Sequence, residues 1–109
     1  MSRVAKSAKV WSLPVPFFVA SYEYTADLEA RLAARPRHRE FLRGLSPALV
    51  ASGPTDADGA ILIFEAESAE AVAALLDPDP FQAEGFIRER KVIGWTPVMG
   101  HWVESGLIA

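Results

Sequence analysis

Ala60-Ile61-Leu62-Ile63-Phe64-Glu65-Ala66 is apolar at every position from 61 to 64, not at alternate ones. A strand with one face on a core and the other in water alternates, so an unbroken run implies burial on both faces. Upstream, Leu49-Val50-Ala51-Ser52 with Gly53-Pro54, followed by Asp58-Gly59, completes the signature of a hairpin. Earlier still, the aromatic-rich stretch 17–24, bounded by Pro16 and by Thr25 and Asp27, reads as a strand. Residues 27–45 carry Leu28, Leu32, Phe41, Leu42 and Leu45 at roughly helical spacing, with Pro36 in the middle. Pro lacks a donor and clashes with the preceding turn, which predicts a short helical piece at 27–34 and a second segment from Pro36.

Downstream, Ser68 caps a predicted helix with Val72, Leu75 and Leu76 in one stripe, and Asp77-Pro78-Asp79-Pro80 stops it. Asp79, Pro80 and Gln82 then match a capping box for a short helix ending at Gly85. Residues 91–98, with Val92, Ile93, Trp95 and Val98, read as the last strand, and Pro97 suggests an edge or bulge near its end.

The order β-α-β-β-α-β is the split βαβ arrangement of an α+β, ferredoxin-like fold: one antiparallel sheet with both helices on a single face. Because the 61–64 run needs cover on its second face as well, a homodimer or higher homo-oligomer packed sheet against sheet is expected. The chain has 109 residues, enough for one compact domain and not two. The expected division is an N-terminal extension over 1–15, the folded domain over 16–100 and a C-terminal tail over 101–109.

The balance of 11 Lys and Arg against 14 Asp and Glu, a net charge of -3, offers no attraction for phosphate backbones, and nucleic acid is not an expected partner. With Cys at 0 there is no disulfide framework, thiolate nucleophile or thiolate-bound zinc, which suits a cytoplasmic home. The N-terminal Val10-Trp11-Ser12-Leu13-Pro14 is too short and interrupted for a membrane or signal segment, so no membrane partner is expected.

Chemistry has few candidates. His38 and His101 are the only histidines, and His38 lies near the start of the second predicted helical segment, where the helix end favours a neutral, proton-accepting ring. A plain reading of His38 is a partly exposed residue on an arginine-rich face. Asp79 is doubly explained, as a helix cap and as a carboxylate able to orient His38 if the fold brings them together. Among arginines 31, 35, 37, 39 and 43, Arg31 and Arg35 are candidates to hold a carboxylate or phenolate, against a solvated helix face as the simpler reading. Ser52, Gly53 and Pro54 end a strand where a ligand can approach the backbone, or merely form a turn. Asp56-Ala57-Asp58-Gly59 lacks the later ligands and glycine of a calcium loop, and no metal, nucleotide or serine-hydrolase motif is present; no cofactor is expected.

Taken together, Leu28-Glu29-Ala30-Arg31-Leu32, Arg35-Pro36-Arg37-His38, Ser52-Gly53-Pro54, Asp79-Pro80-Phe81 before Gly85, and Val92-Ile93 with Trp95 make the chain resemble the YCII-related family of small proteins over about residues 17–100. The loop at 55–59 is shorter than the glycine-bearing insertion of many relatives. The resemblance implies a ferredoxin-like protomer forming a dimeric α+β barrel related to muconolactone isomerase, with an active site on a His and an Asp that map to His38 and Asp79. It includes a dehydrochlorinase acting on a chlorinated hydroxyhydroquinone. The expected function is a cofactor-independent lyase or isomerase acting on a small anionic, cyclic or aromatic compound. In it His38 shuttles a proton, Asp79 orients His38, Arg31 or Arg35 holds the anion, and Phe81 with Ser52, Gly53 and Pro54 shapes the pocket. The alternative is a non-catalytic dimeric small-molecule-binding or accessory domain on the same scaffold.

Overall fold

The computed structural model describes residues 16–108; the predicted extension over 1–15 lies outside them. Four strands, β1 (Phe17–Tyr24), β2 (Leu49–Thr55), β3 (Gly59–Glu65) and β4 (Ile87–Trp95), form one fully antiparallel sheet in the order β2-β3-β1-β4. The helices are α1 (Leu28–Arg43), α2 (Ala69–Leu76), α3 (Pro80–Ala83) and α4 (His101–Glu104). With β1 and β3 central and paired from Phe17↔Glu65 to Glu23↔Gly59, this is the ferredoxin-like α+β topology expected from the sequence.

The core lies on one face of the sheet. Ala20 and Tyr22 of β1 and Ala60, Leu62 and Phe64 of β3 alternate toward Val72 and Leu76 of α2, all at 7% exposure or less. Ser68 caps α2 by accepting from Ala71 N–H at 3.0 Å, which fixes the turn at which the apolar stripe meets the sheet. The opposite face buries Phe17 at the start of β1 but is otherwise not closed by the described residues. There Val19, Ile63 and Ile93 stand in one row, and Ile93 is 61% exposed.

Several local expectations are corrected. Pro36 does not divide the first helical region: α1 runs unbroken through it. Pro36 and Leu32 both lie on the exposed side, so the carbonyl that loses its partner faces water, and buried residues on both sides of the proline anchor the helix. Those buried residues are Arg31, Ala34 and His38, whereas Leu28 and Leu32 are 53% and 41% exposed. Arg31 and His38, not Leu28 and Leu32, are turned inward, while Leu42 nearer the end of the helix packs against the core.

The β2 strand extends past Ser52 through Gly53 and Pro54 to Thr55, and an edge position tolerates the proline. The last strand begins at Ile87 and ends at Trp95, so Pro97 falls beyond it. Its charged first half belongs to the sheet because β4 is an edge strand whose arginines find carboxylates, exposed Arg88 with Glu23 and the largely buried Arg90, opposite Tyr22, with Asp77. The capping box at Asp79 forms only by half. Asp79 accepts from Phe81 N–H, but its own N–H goes to Leu76 C=O, and Gln82 Oε1 is left buried without a partner.

Gly59 shows how closely the hairpin is packed against β1. A Cβ at this position would lie 2.1 Å from the Tyr22 carbonyl oxygen, a backbone atom that cannot swing aside. Gly59→Ala is therefore expected to destabilise the fold by about 2–3 kcal/mol in denaturant unfolding. Gly53→Ala, with nothing within 4 Å of the added methyl, should change it by no more than about 0.5 kcal/mol.

Candidate active site

The side chains singled out in the sequence come from α1, β2 and the α2–α3 junction with the first turn of α3. β1, α1 and the α2–α3 junction converge on one carboxylate, and β2 closes the opposite side of a cleft. Asp79, the N-cap of α3, is 0% exposed. Its Oδ1 is 2.8 Å from His38 Nδ1 on α1 and accepts from Phe81 N–H at 2.9 Å. Its Oδ2 accepts from the Tyr22 hydroxyl on β1 at 2.8 Å. The cap and the histidine partner are thus one and the same atom, Oδ1, and the two readings of Asp79 are not alternatives.

In the pairing of a neutral His38 ring with an Asp79 carboxylate, which accepts hydrogen bonds and donates none, the proton of the 2.8 Å contact is on Nδ1. That leaves Nε2 with its lone pair, and among the described residues it has no hydrogen-bond partner. The ring is held flat against Phe81, with centroids 3.8 Å apart and planes at 2°. Phe81 is in turn braced edge-on by Tyr24 and Phe86. On the solvent side Arg37 of α1 forms a bidentate pair with Glu84, tying the two helices together outside the site. The Arg37 guanidinium bonded to Glu84 holds that carboxyl below its usual range.

His38 forms part of the wall of a cleft of about 380 Å³. Arg31, Arg35, Ser52, Gly53, Pro54 and Phe81, all singled out in the sequence, line it too, while Asp79 stands behind His38 and does not. Arg31 is committed: it donates to Thr25 C=O at 3.1 Å and lies over the Tyr24 ring, 4.2 Å from the centroid. Arg35 has no hydrogen-bond or ion-pair partner among the described residues. Arg39, which the sequence reading passed over, is in the same state and also lines the cleft. The spacing 31, 35, 39 puts all three on one stripe of α1, a signal present in the sequence. Against them the lining offers one carboxylate, Asp58, so the cleft is net positive.

The tyrosines of β1 were also missed. Tyr22 and Tyr24, two residues apart, share the buried side of the strand, where a hydroxyl needs a partner. Burial, reinforced by the charge of Asp79 and the hydrogen bond to it, pushes the Tyr22 phenol well above its ordinary range, with Arg90 opposing. Burial raises Tyr24 as well, against the nearby Arg31 and Arg35. His101 lies on α4, outside this cleft.

The model of the YCII-related domain matches residues 15–96. The chain belongs to the YCII-related family. Among solved structures, this family member is similar to the 5-chloro-2-hydroxyhydroquinone dehydrochlorinase TftG of Burkholderia phenoliruptrix AC1100 in complex with 2,5-dihydroxybenzoquinone. The TM-score is 0.67 at 26% identity, over 73% of this chain and 93% of that one. It also matches a putative antibiotic biosynthesis monooxygenase of Chloroflexus aurantiacus J-10-fl, at 19% identity and a TM-score of 0.35, over 78% of this chain and 94% of that one. No curated protein matches the chain significantly. Among the described residues of this YCII-related chain, no helix is long and apolar enough to cross a membrane, and no group of three or more His, Asp or Glu is placed to hold a metal ion.

The Tyr22 shift carries a pH dependence. A phenol whose folded pKa lies above its unfolded value near 10 contributes stability that is whole below pH 10 and is lost as pH rises toward the folded value. The unfolded chain releases a proton that the native chain retains. Stability should therefore fall above about pH 10 with a slope near 1.4 kcal/mol per pH unit for this group. Tyr22→Phe should flatten that slope in unfolding curves measured between pH 9 and 11.

Proposed function

We propose that this chain is a cofactor-independent lyase or isomerase that moves a proton on a small anionic, cyclic or aromatic compound, with His38 and Asp79 as its acid-base pair. The observation that carries the reading is the buried carboxylate on Nδ1, which leaves Nε2 as the base beside a net-positive cleft. Nε2 takes a proton from a carbon or hydroxyl of the bound compound. The electron pair left behind either expels a leaving group, as in a lyase, or is reprotonated elsewhere by the imidazolium, as in an isomerase. Asp79, accepting from Nδ1–H, stabilises the imidazolium in between.

Arg35 and Arg39 hold the substrate's anionic oxygens, Arg31 supports them from its place over Tyr24, and Ser52, Gly53 and Pro54 form the opposite wall. A cleft of about 380 Å³ lies at the small end of binding sites, which run from about 300 Å³ upward, and suits a single substituted ring. The likeness to a dehydrochlorinase bound to a dihydroxybenzoquinone supports an oxygenated ring as the substrate class.

The domain is proposed to work as a homodimer in the cytoplasm, with the open part of its second sheet face against that of a second copy. Exposed Ile61 and Ile93 on that face, beside Val19 and Ile63, support the packing.

Turnover should be screened on oxygenated and halogenated single-ring acids and phenols, following loss of absorbance and release of halide. On any compound turned over, His38→Ala should lower kcat by about 10²-fold or more, and Arg35→Met should act mainly by raising KM. Full turnover in His38→Ala overturns the assignment, and tight binding without turnover of any compound favours a binding module. Light scattering at micromolar concentration should give twice the protomer mass, and Ile93→Glu should reduce it to one. A wild-type monomer contradicts the dimer.

A further inference from the structure

Tyr22 is 3% exposed and does not line the cleft, yet its hydroxyl points at Asp79. This makes the two oxygens of Asp79 unequal. Oδ1 faces His38 Nδ1 and Phe81 N–H, whereas Oδ2 has the Tyr22 hydroxyl as its one partner among the described residues. A carboxylate divided in this way resists rotation about its Cβ–Cγ bond, because any turn breaks bonds at both oxygens and Asp79 has no exposed surface at which bulk solvent could replace them. The Tyr22 bond also draws negative charge toward Oδ2 and so moderates the pull of Oδ1 on the His38 proton.

We infer that Tyr22 is a positioning residue of this site: through Asp79 it sets the strength and direction of the His38 Nδ1–H···Oδ1 bond, and with it the aim of Nε2 into the cleft. The inference rests on the reading of His38 as the acid-base group, but the interaction exists without substrate and is measured without one. Phe81 N–H cannot substitute for Tyr22, since it binds the same oxygen as His38.

The test is the proton resonance of His38 Nδ1–H in the full chain carrying 15N-labelled histidine, with His101 as internal reference. Tyr22→Phe removes the donor, concentrates charge on Oδ1 and should move the resonance downfield. The opposite change uses the fact that the chain has only two tyrosines. In a Tyr24→Phe background, 3-fluorotyrosine labels position 22 alone and makes its hydroxyl a stronger donor. The resonance should then move upfield relative to the same background with ordinary tyrosine. Opposite signs establish the coupling, because altered packing has no reason to follow donor strength.

Unmoved resonances, or two shifts of the same sign, overturn it. If Tyr22→Phe does not fold, the fluorotyrosine arm decides alone: an upfield shift supports the inference and an unmoved resonance refutes it. Failure here leaves the loss of turnover in His38→Ala intact as evidence for the enzyme. Conversely, the signed pair of shifts stands even if no substrate is turned over.

Discussion

A single buried charge organises this molecule. Asp79 has no exposed surface, and a carboxylate taken out of water is tolerated only when its oxygens are supplied with donors. Three elements supply them: α1 through His38, β1 through Tyr22 and the first turn of α3 through the Phe81 N–H. The requirement works in both directions. The carboxylate needs these elements in place, and once they are in place each of the three groups is pinned. The orientation of the imidazole, the stacking of Phe81 under it and the inward placing of His38 on α1 follow from that one constraint.

This explains an otherwise odd helix. An amphipathic helix on a sheet normally turns its leucines inward, but α1 buries Arg31, Ala34 and His38 and leaves Leu28 and Leu32 in solvent. The conventional core is provided instead by α2, through Val72 and Leu76 on Phe64 and Leu62. The fold thus divides its labour. One end of the sheet is closed by apolar packing, and the other is held by polar contacts around a cleft whose charge comes from the arginine stripe. A helix that contributes little more than Leu42 to the apolar core can present three guanidinium groups and an imidazole to the same space.

What was legible in the sequence follows the same division. The topology could be read because strands and turns leave short-range marks: the aromatic run of β1, the apolar run at 61–64, and Ser68 as a cap. His38, Asp79 and the candidate wall residues were also legible, as residue types in a family-like order. Pro36 misled because a missing donor looks fatal in isolation, whereas on the exposed side of an anchored helix it leaves only a carbonyl facing water. Ile87, Arg88, Glu89 and Arg90 hid the start of β4, since charged residues on an edge strand carry little of a strand's apolar pattern. The roles of Tyr22 and Tyr24 could not be read, because their partners lie 57 residues away on Asp79 in one case and on Arg31 of the next helix in the other. Arg39 could have been read from its spacing with Arg31 and Arg35.

The central claim is that Asp79 places the His38 proton on Nδ1 and leaves Nε2 free toward the cleft. Neutron diffraction from deuterated crystals near neutral pH observes that proton directly. The account predicts deuterium on His38 Nδ1 directed at Asp79 Oδ1, deuterium on the Tyr22 hydroxyl directed at Oδ2, and a bare Nε2. Deuterium on an Asp79 oxygen, or a neutral His38 ring carrying deuterium on Nε2 with Nδ1 bare, would contradict it.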